Sequence, residues 1–77
     1  MRIKVFLFAS LREKLGKREV EIDLPEGATV ADSLKMVVDD ERWGRSIAFA
    51  VNEAYVPSTT RLRDGDRVAF ITPVAGG

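Results

Sequence analysis

A single long stretch of helical periodicity, bracketed by strand-like alternation, limits this chain to very few folds. Its apolar side chains recur at the spacing of an amphipathic helix and are Val30, Leu34, Val37 and Val38. Thr29 is a favourable N-cap, and Asp32 at the third helical position suits the positive end of the helix dipole. These features predict the main helix over 30–40. Because no second helix of that length is indicated, its apolar face must pack against a sheet.

Five other segments have the alternation, or the β-branched and aromatic content, of strands. They are 2–8, 19–24, 47–51, 55–56 and 67–72. In EVEIDL (19–24) the apolar residues alternate cleanly with acids, which is typical of a half-buried strand. An Asp-Gly turn signal within RDGDR precedes the last strand.

A short second helix is predicted directly after the first strand. In SLREKLG, Ser10 and Glu13 have the spacing of a capping box, and Gly16 suits a helix C-cap. These signals place the short helix over 11–15.

The order and length of these elements indicate one α+β domain. We expect a ubiquitin-like β-grasp, a mixed sheet with the long helix packed on one face and the short helix after strand one. The expected boundaries are a β-grasp domain over 1–72 and a flexible C-terminal Gly-Gly tail over 73–77, which has few apolar contacts to hold it.

The composition excludes several kinds of site. The chain has 12 basic and 12 acidic residues and neither Cys nor His. The balanced charge argues against a general nucleic-acid or membrane-surface binder. The missing residue types exclude disulfides, zinc–thiolate sites and Cys or His catalysis. The alternating acids Glu19, Glu21 and Asp23 are interpreted as a solvated strand face, so no metal site is expected.

The apolar run within the N-terminal segment MRIKVFLFAS is too short to direct export. Its uninterrupted apolar run covers 5–9, whereas a secretory core needs about 7–15 residues and a membrane span about 20. We interpret the segment as a strand and expect a cytoplasmic protein.

The first and last strands carry apolar side chains on the face that should be solvated. In a β-grasp these strands are central, adjacent and parallel, and one face of each lies under the long helix. The other face holds Phe6, Phe8 and Ile71, with Phe8 and Ile71 at the end where the tail leaves and Tyr55 extending the patch. We interpret this patch as a protein-docking surface. The alternatives are ordinary isolated exposure, or cover by the helix at 11–15.

The final segment, ITPVAGG (71–77), points to chemistry at the chain end. The stretch from Pro73 to Gly77 can reach about 16 Å when extended, and glycines can thread a channel too narrow for side chains. The only reactive group at the tip is the α-carboxylate. It becomes an electrophile once another enzyme activates it with ATP as an acyl-adenylate, after which a sulfur or amine nucleophile can take the acyl group.

Three segments together resemble a known family. VFLFASLRE (5–13), VNEAYV (51–56) and LRDGDRVAFITPVAGG (62–77) are similar to the small subunits of molybdopterin synthase (MoaD), which are ubiquitin-like sulfur carriers. The resemblance covers nearly the whole chain, and the closing segment is its most specific part. One departure is Thr72, where some members have a second proline.

The resemblance implies a sulfur-transfer cycle. A MoeB-like adenylyltransferase uses ATP to adenylate Gly77, and a persulfide sulfur donor converts it to a thiocarboxylate. The tail then enters a MoaE-like large subunit, and the sulfur passes to cyclic pyranopterin monophosphate to form the molybdopterin dithiolene. The chain itself binds no cofactor, and the catalytic side chains are expected on the large subunit. Gly76 and Gly77 form the carrier end. The implied partner-binding residues are Phe8, Tyr55, Ile71, Pro73, Val74 and Ala75.

Three other functions fit the same residues. The chain can be a ThiS-like sulfur carrier for thiamine synthesis or tRNA thiolation, although the inserted SLREKLG helix argues against a ThiS-like chain, which usually turns directly from strand one to strand two. It can be a protein modifier joined to lysines through Gly77. It can also be a plain β-grasp interaction module with an incidental tail.

Overall fold

The computed structural model describes residues 1–38 and 47–71, which form a five-stranded sheet and two helices. In chain order the elements are β1 (Arg2–Leu7), α1 (Ala9–Leu15), β2 (Glu19–Asp23), α2 (Val30–Val37), β3 (Ala48–Val51), β4 (Ala54–Val56) and β5 (Arg67–Ile71). The sheet order is β2-β1-β5-β3-β4. The pair β1–β5 is parallel, and the other neighbours are antiparallel. This mixed sheet confirms the predicted α+β class.

Alternate residues of the two central strands build the core. Ile3 and Val5 of β1, with Val68 and Phe70 of β5, are completely shielded from solvent. Phe49 of β3 meets Phe70 edge-on, with ring centroids 5.7 Å apart, which is a favourable aromatic geometry. Both helices contribute to the same core, so the side of the sheet that these residues face is the helix side.

The N-terminus of α2 has the predicted cap. The backbone N–H of Asp32 donates to the Thr29 hydroxyl at 3.3 Å, and the backbone N–H of Thr29 donates to the Asp32 carboxylate at 2.9 Å, which completes a capping box. The predicted C-terminal end of α2, at position 40, was wrong. The helix ends at Val37, because Val38 is extended with φ −124° and ψ 117°; positions 39–40 lie outside the described residues.

The predicted start of α1 was also wrong. The helix begins at Ala9 with Phe8 as its N-cap, so Ser10 lies inside the first turn and the predicted capping box does not start the helix. The chain turns sharply into the helix because Ala9 adopts φ 48°. The C-terminal prediction is confirmed, since Gly16 is left-handed at φ 69° and its N–H donates to the Arg12 carbonyl.

The short helix does not cover the exposed phenylalanines. Leu11 of α1 is fully buried and belongs to the core on the helix side of the sheet. Phe8 remains 46% exposed and Phe6 half-buried, and neither belongs to that core. The alternative in which α1 folds over this patch is therefore excluded.

Strand ends differ from the predictions by about one residue, as expected for boundaries. β1 ends at Leu7 because Phe8 becomes the N-cap of α1, and β4 begins at Ala54, directly after the preceding turn. Position 72 and the predicted tail at 73–77 lie outside the described residues.

Neither described helix is long and apolar enough to cross a membrane. They have 7 and 8 residues, whereas a spanning helix needs about 20. The expected cytoplasmic location stays a prediction.

Replacing Thr29 by Ala is expected to lower the free energy of unfolding by about 1 kcal/mol, because α2 loses a side-chain acceptor for its first N–H groups. Denaturant unfolding, with a Lys35→Ala variant as the control on the same helix, measures this loss. An unchanged unfolding free energy would show that the cap contributes nothing.

The charged half of the capping box is expected to make α2 sensitive to acid. Hydrogen bonds from the backbone and hydroxyl of Thr29 hold the pKa of Asp32 below its ordinary value of 3.8. The carboxylate therefore contributes stability above that value, and the contribution is lost as the pH falls through the lower folded-state pKa. The stability gap between wild type and Asp32→Asn should be present at about pH 7 and should narrow progressively as the pH is lowered below 3.8. A gap of the same size in acid would contradict this assignment.

Candidate functional site

The face of the sheet opposite the helices, called the open face, carries an in-register row of four side chains. Phe6 of β1 pairs with Ala69 of β5, Ala69 pairs with Ala50 of β3, and Ala50 pairs with Tyr55 of β4. Side chains on paired positions project to the same side of a sheet. Two alanines therefore lie between two aromatic rings.

The short alanine side chains leave a depression on the open face, called the hollow. It encloses about 430 Å³, and Ala50 at its floor is only 7% exposed although neither helix packs on this side. The floor is apolar, the wall on the β1 side is aromatic, and one end is polar. Its lining residues are Phe6, Phe8, Ala50, Asn52, Glu53, Arg67 and Ala69. Such a concave apolar surface can receive apolar side chains from a partner protein.

The apolar end of the open face lies where β1 and β5 both finish. Because Leu7 pairs with Phe70 in parallel register, the next residues of the two strands, Phe8 and Ile71, follow at the same end of the sheet. Phe8 is 46% exposed and Tyr55 75% exposed, while Ile71 is half-buried beside its partner Ala48. The predicted face of Phe8, Tyr55 and Ile71 is confirmed, and their role in binding stays a prediction.

The opposite end of the open face is charged. Arg2 contacts Glu21 at 3.8 Å and Asp23 at 3.3 Å, and the hydrogen bond and charge of Asp23, followed by the charge of Glu21, raise the pKa of Arg2. Lys4 pairs with Arg67 across β1 and β5. The open face therefore changes from charged to apolar along the direction of β1.

The β3–β4 turn fixes the polar end of the hollow. Asn52 and Glu53 both have positive φ, at 50° and 72°, which is the conformation of a type I′ hairpin turn. The Asn52 amide oxygen accepts from the Arg67 N–H at 3.1 Å, and its amide nitrogen donates to Asp66 at 3.0 Å. These bonds tie the turn to the start of β5, so Glu53 is held at the rim of the hollow.

Sequence reasoning missed the two alanines and Asn52. Ala50 and Ala69 are unremarkable in the sequence, and their meaning appears only when the register places them between Phe6 and Tyr55. The available signal was parity, since Ala69 alternates with buried Val68 and Phe70 and therefore belongs to the open face.

The remaining predicted site residues belong to the C-terminal segment. They lie outside the described residues and are Pro73, Val74, Ala75, Gly76 and Gly77. In the part of the chain that the structure describes, no three acidic side chains gather at a position able to hold a metal ion. The described open face offers aromatic, aliphatic and polar side chains suited to binding a protein surface.

A match to a protein-family model decides the family of this chain. The model, described as the ThiS family, matches residues 5–77. The chain belongs to the ThiS family. It is 37% identical over 81 residues to the molybdopterin synthase sulfur carrier subunit of Escherichia coli, covering 97% of this chain and 99% of that relative. It is 36% identical over 83 residues to the subunit of the same name from Chlamydomonas reinhardtii, covering both chains completely.

The fold is shared with a protein of known structure. The crystal structure of SAMP1 from Haloferax volcanii superposes with a TM-score of 0.85 and 28% sequence identity over the full length of both chains. Together with the strand order above, this similarity confirms the predicted ubiquitin-like β-grasp.

A double variant, Phe8→Glu with Ile71→Glu, is expected to fold normally because both side chains lie on the open face. Its free energy of unfolding should stay within about 1 kcal/mol of wild type, as for most surface changes. Phe70→Ala is the matched control on the buried side of β5 and should lose about 3–5 kcal/mol. Thermal and denaturant unfolding measure both; a double variant that unfolds would show that the faces are wrongly assigned.

Proposed function

We propose that this chain is the sulfur carrier subunit of a molybdopterin synthase and that the carboxyl group of Gly77 carries the sulfur. The observation that supports this most directly is the apolar end of the open face. Phe8 and Ile71 both lie at that end, because Leu7 pairs with Phe70 in parallel register. After Ile71 the sequence continues with one further residue and then PVAGG. A partner that binds this end of the face is well placed to receive the segment that follows it. The two full-length relatives named as sulfur carrier subunits support the same conclusion.

The proposed chemistry takes place on the Gly77 carboxylate. One carboxylate oxygen attacks the α-phosphorus of ATP in a MoeB-like enzyme, forming an acyl-adenylate and releasing pyrophosphate. A persulfide sulfur from the donor protein then attacks the acyl carbon and displaces AMP. A thiol cleaves the resulting sulfur–sulfur bond, leaving a thiocarboxylate on Gly77 and a disulfide on the donor side.

The proposed acceptor is cyclic pyranopterin monophosphate held by a MoaE-like large subunit. Attack of the thiocarboxylate sulfur on a carbon of the pterin precursor would displace an oxygen substituent from that carbon. Hydrolysis of the resulting thioester would leave the sulfur on the pterin and regenerate the Gly77 carboxylate. A dithiolene needs two such transfers. The described residues supply a docking face for these steps, and the catalytic side chains are assigned to the large subunit. This division agrees with a chain that contains neither Cys nor His.

The helix between β1 and β2 favours this carrier over one for thiamine synthesis. The structure has a two-turn α1 at Ala9–Leu15 with its own buried anchor, Leu11. Carriers for thiamine synthesis are expected to turn directly from the first strand to the second, without a helix between them. The presence of α1 therefore supports the molybdopterin assignment.

A second candidate function is that of a ubiquitin-like protein modifier. It is supported by the similarity to SAMP1 of Haloferax volcanii, which is also named small archaeal modifier protein 1. In that case an amine of a target lysine, rather than a sulfur, takes the activated acyl group of Gly77. The two functions use the same adenylate and differ in the product.

The mass of the intact protein purified from its own cells distinguishes the two candidates. A form with one carboxylate oxygen replaced by sulfur supports the carrier, and peptides in which Gly77 is joined to a lysine support the modifier. Removing Gly76 and Gly77 should abolish either product while leaving the unfolding transition unchanged. If no thiocarboxylate forms with a MoeB-like enzyme, ATP and a persulfide donor, the carrier proposal is wrong.

Filling the hollow is expected to weaken docking without affecting the tail. Ala69→Glu places a charged side chain in the hollow beside Phe6 and should reduce affinity for the cognate large subunit by roughly tenfold or more, as loss of a central contact does. Lys35→Glu places a carboxylate on α2, with a net charge change of two units instead of one, and should leave the affinity unchanged. Calorimetric titration of the thiocarboxylated proteins measures both affinities. Equal affinities would show that the hollow is not part of the docking surface.

A further inference from the structure

The outer edge of β2 and the groove beside it form a surface that the proposed function does not use. The groove lies between α1, β2 and α2 and encloses about 300 Å³. Its apolar lining residues are Leu15, Val20, Ile22, Met36 and Val37. It is on the helix side of the sheet, away from the hollow and from the apolar end of the open face.

The backbone of β2 has hydrogen-bonding groups that point away from the sheet. The Leu7 N–H donates to the Arg18 carbonyl and the Leu24 N–H donates to the Met1 carbonyl, so the first strand region is bonded to the chain on either side of β2. Because bonded pairs alternate along an antiparallel ladder, positions 20 and 22 also bond to β1. The residues whose N–H and C=O groups point outward are Glu19, Glu21 and Asp23. Among the described strands, none lies on that side of β2.

The apolar groove is incompletely covered. Met36 is 59% exposed, although it lines the groove with Val20 and Ile22, which are themselves only half-buried. A strand added to the edge of β2 would place alternate side chains against this groove, because residues paired with Val20 and Ile22 project to the helix side. The edge and the groove thus fit the same extended occupant.

The charges on the edge determine which occupant fits. Residues paired with Glu19, Glu21 and Asp23 would project to the open-face side, beside three carboxylates. Arg2 contacts two of these at 3.3 and 3.8 Å, but all of these side chains are largely exposed, and such ion pairs are weak enough for an incoming cation to share. Lys17 lines the groove just before β2, so the acidic character is confined to the strand itself.

We propose that the β2 edge binds an extended segment of a partner protein in which basic and apolar residues alternate. The segment adds a strand to the sheet, with its backbone bonded to Glu19, Glu21 and Asp23. Its apolar side chains enter the groove beside Met36, and its basic side chains meet the three carboxylates. This mode of recognition draws affinity from main-chain bonds and specificity from alternate side chains, and it is independent of the chemistry at Gly77.

A second copy of this chain is a poor occupant of the same edge. Antiparallel pairing of two β2 strands about their centre would set Glu21 opposite Glu21 and Glu19 opposite Asp23. Like charges directly opposite each other on a sheet are destabilising, and charged edges are a common means of preventing such pairing. The carboxylates therefore disfavour self-association while they favour a basic segment.

The experiment is a nuclear magnetic resonance titration of the full isotope-labelled chain with three capped seven-residue peptides. The first alternates lysine and valine, the second replaces each lysine by glutamate, and the third has the composition of the first without alternation. The first peptide should shift and protect the amides of Glu19, Glu21 and Asp23 and should bind roughly tenfold more tightly than the second. The non-alternating peptide should bind more weakly than the first.

Two neighbouring side-chain truncations on α2 test the groove. Met36→Ala should weaken binding of the first peptide by roughly fivefold, whereas Lys35→Ala, one position away and outside the groove lining, should not change it. Equal binding of the basic and acidic peptides, shifts confined to the open face, or no binding would overturn the proposal. Concentration-dependent self-association through β2 without peptide would also overturn it, because a second copy would then be the occupant.

Discussion

The parallel pairing of β1 with β5 is the constraint on which the rest of the structure depends. It joins strands from opposite ends of the sequence, with Lys4 beside Arg67 and Leu7 beside Phe70. Closing so long a loop costs conformational entropy, and burial of the apolar faces of both strands offsets it at about 1.5–3 kcal/mol for each large side chain. The same pairing brings the end of the first strand to the point from which the C-terminal residues continue, so the core and the docking face depend on a single register.

That register gives the two sides of the sheet different uses. Side chains that alternate toward the helices interlock into a core, and those that alternate the other way have no helix to cover them. On the open face the register sets small residues in the middle and aromatic residues at the sides, which makes a concave surface. A one-residue slip of β5 would place Phe70 on the open face and Ala69 in the core. Burial of the Phe49–Phe70 pair therefore stabilises the register that forms the hollow as well as the core.

Local signals in the sequence predicted what local interactions determine. The cap of α2 was predictable because Thr29 and Asp32 satisfy each other within one turn, and the faces of β1 and β5 followed from alternation alone. The start of α1 was not predictable, because it depends on a left-handed Ala9. An alanine in a sequence gives no signal of that conformation. The hollow could not be predicted either, since Ala50 and Ala69 come together only through the β3–β5 register. Pairwise register is a tertiary property, and a single sequence does not display it.

The two edges of the sheet limit unwanted pairing in different ways. β4 has only three residues, and a strand so short offers few backbone groups to an intruding chain. β2 has five residues and a regular ladder, so its length does not prevent pairing with another strand. Its carboxylates must therefore limit such pairing. A charged edge excludes copies of itself but attracts strands of the opposite charge. If the acids served only to block pairing, cover of the adjacent apolar groove would be expected as well, whereas Met36 is left exposed beside it. The combination of a protective charge with an open groove is therefore better explained by selective binding than by protection alone.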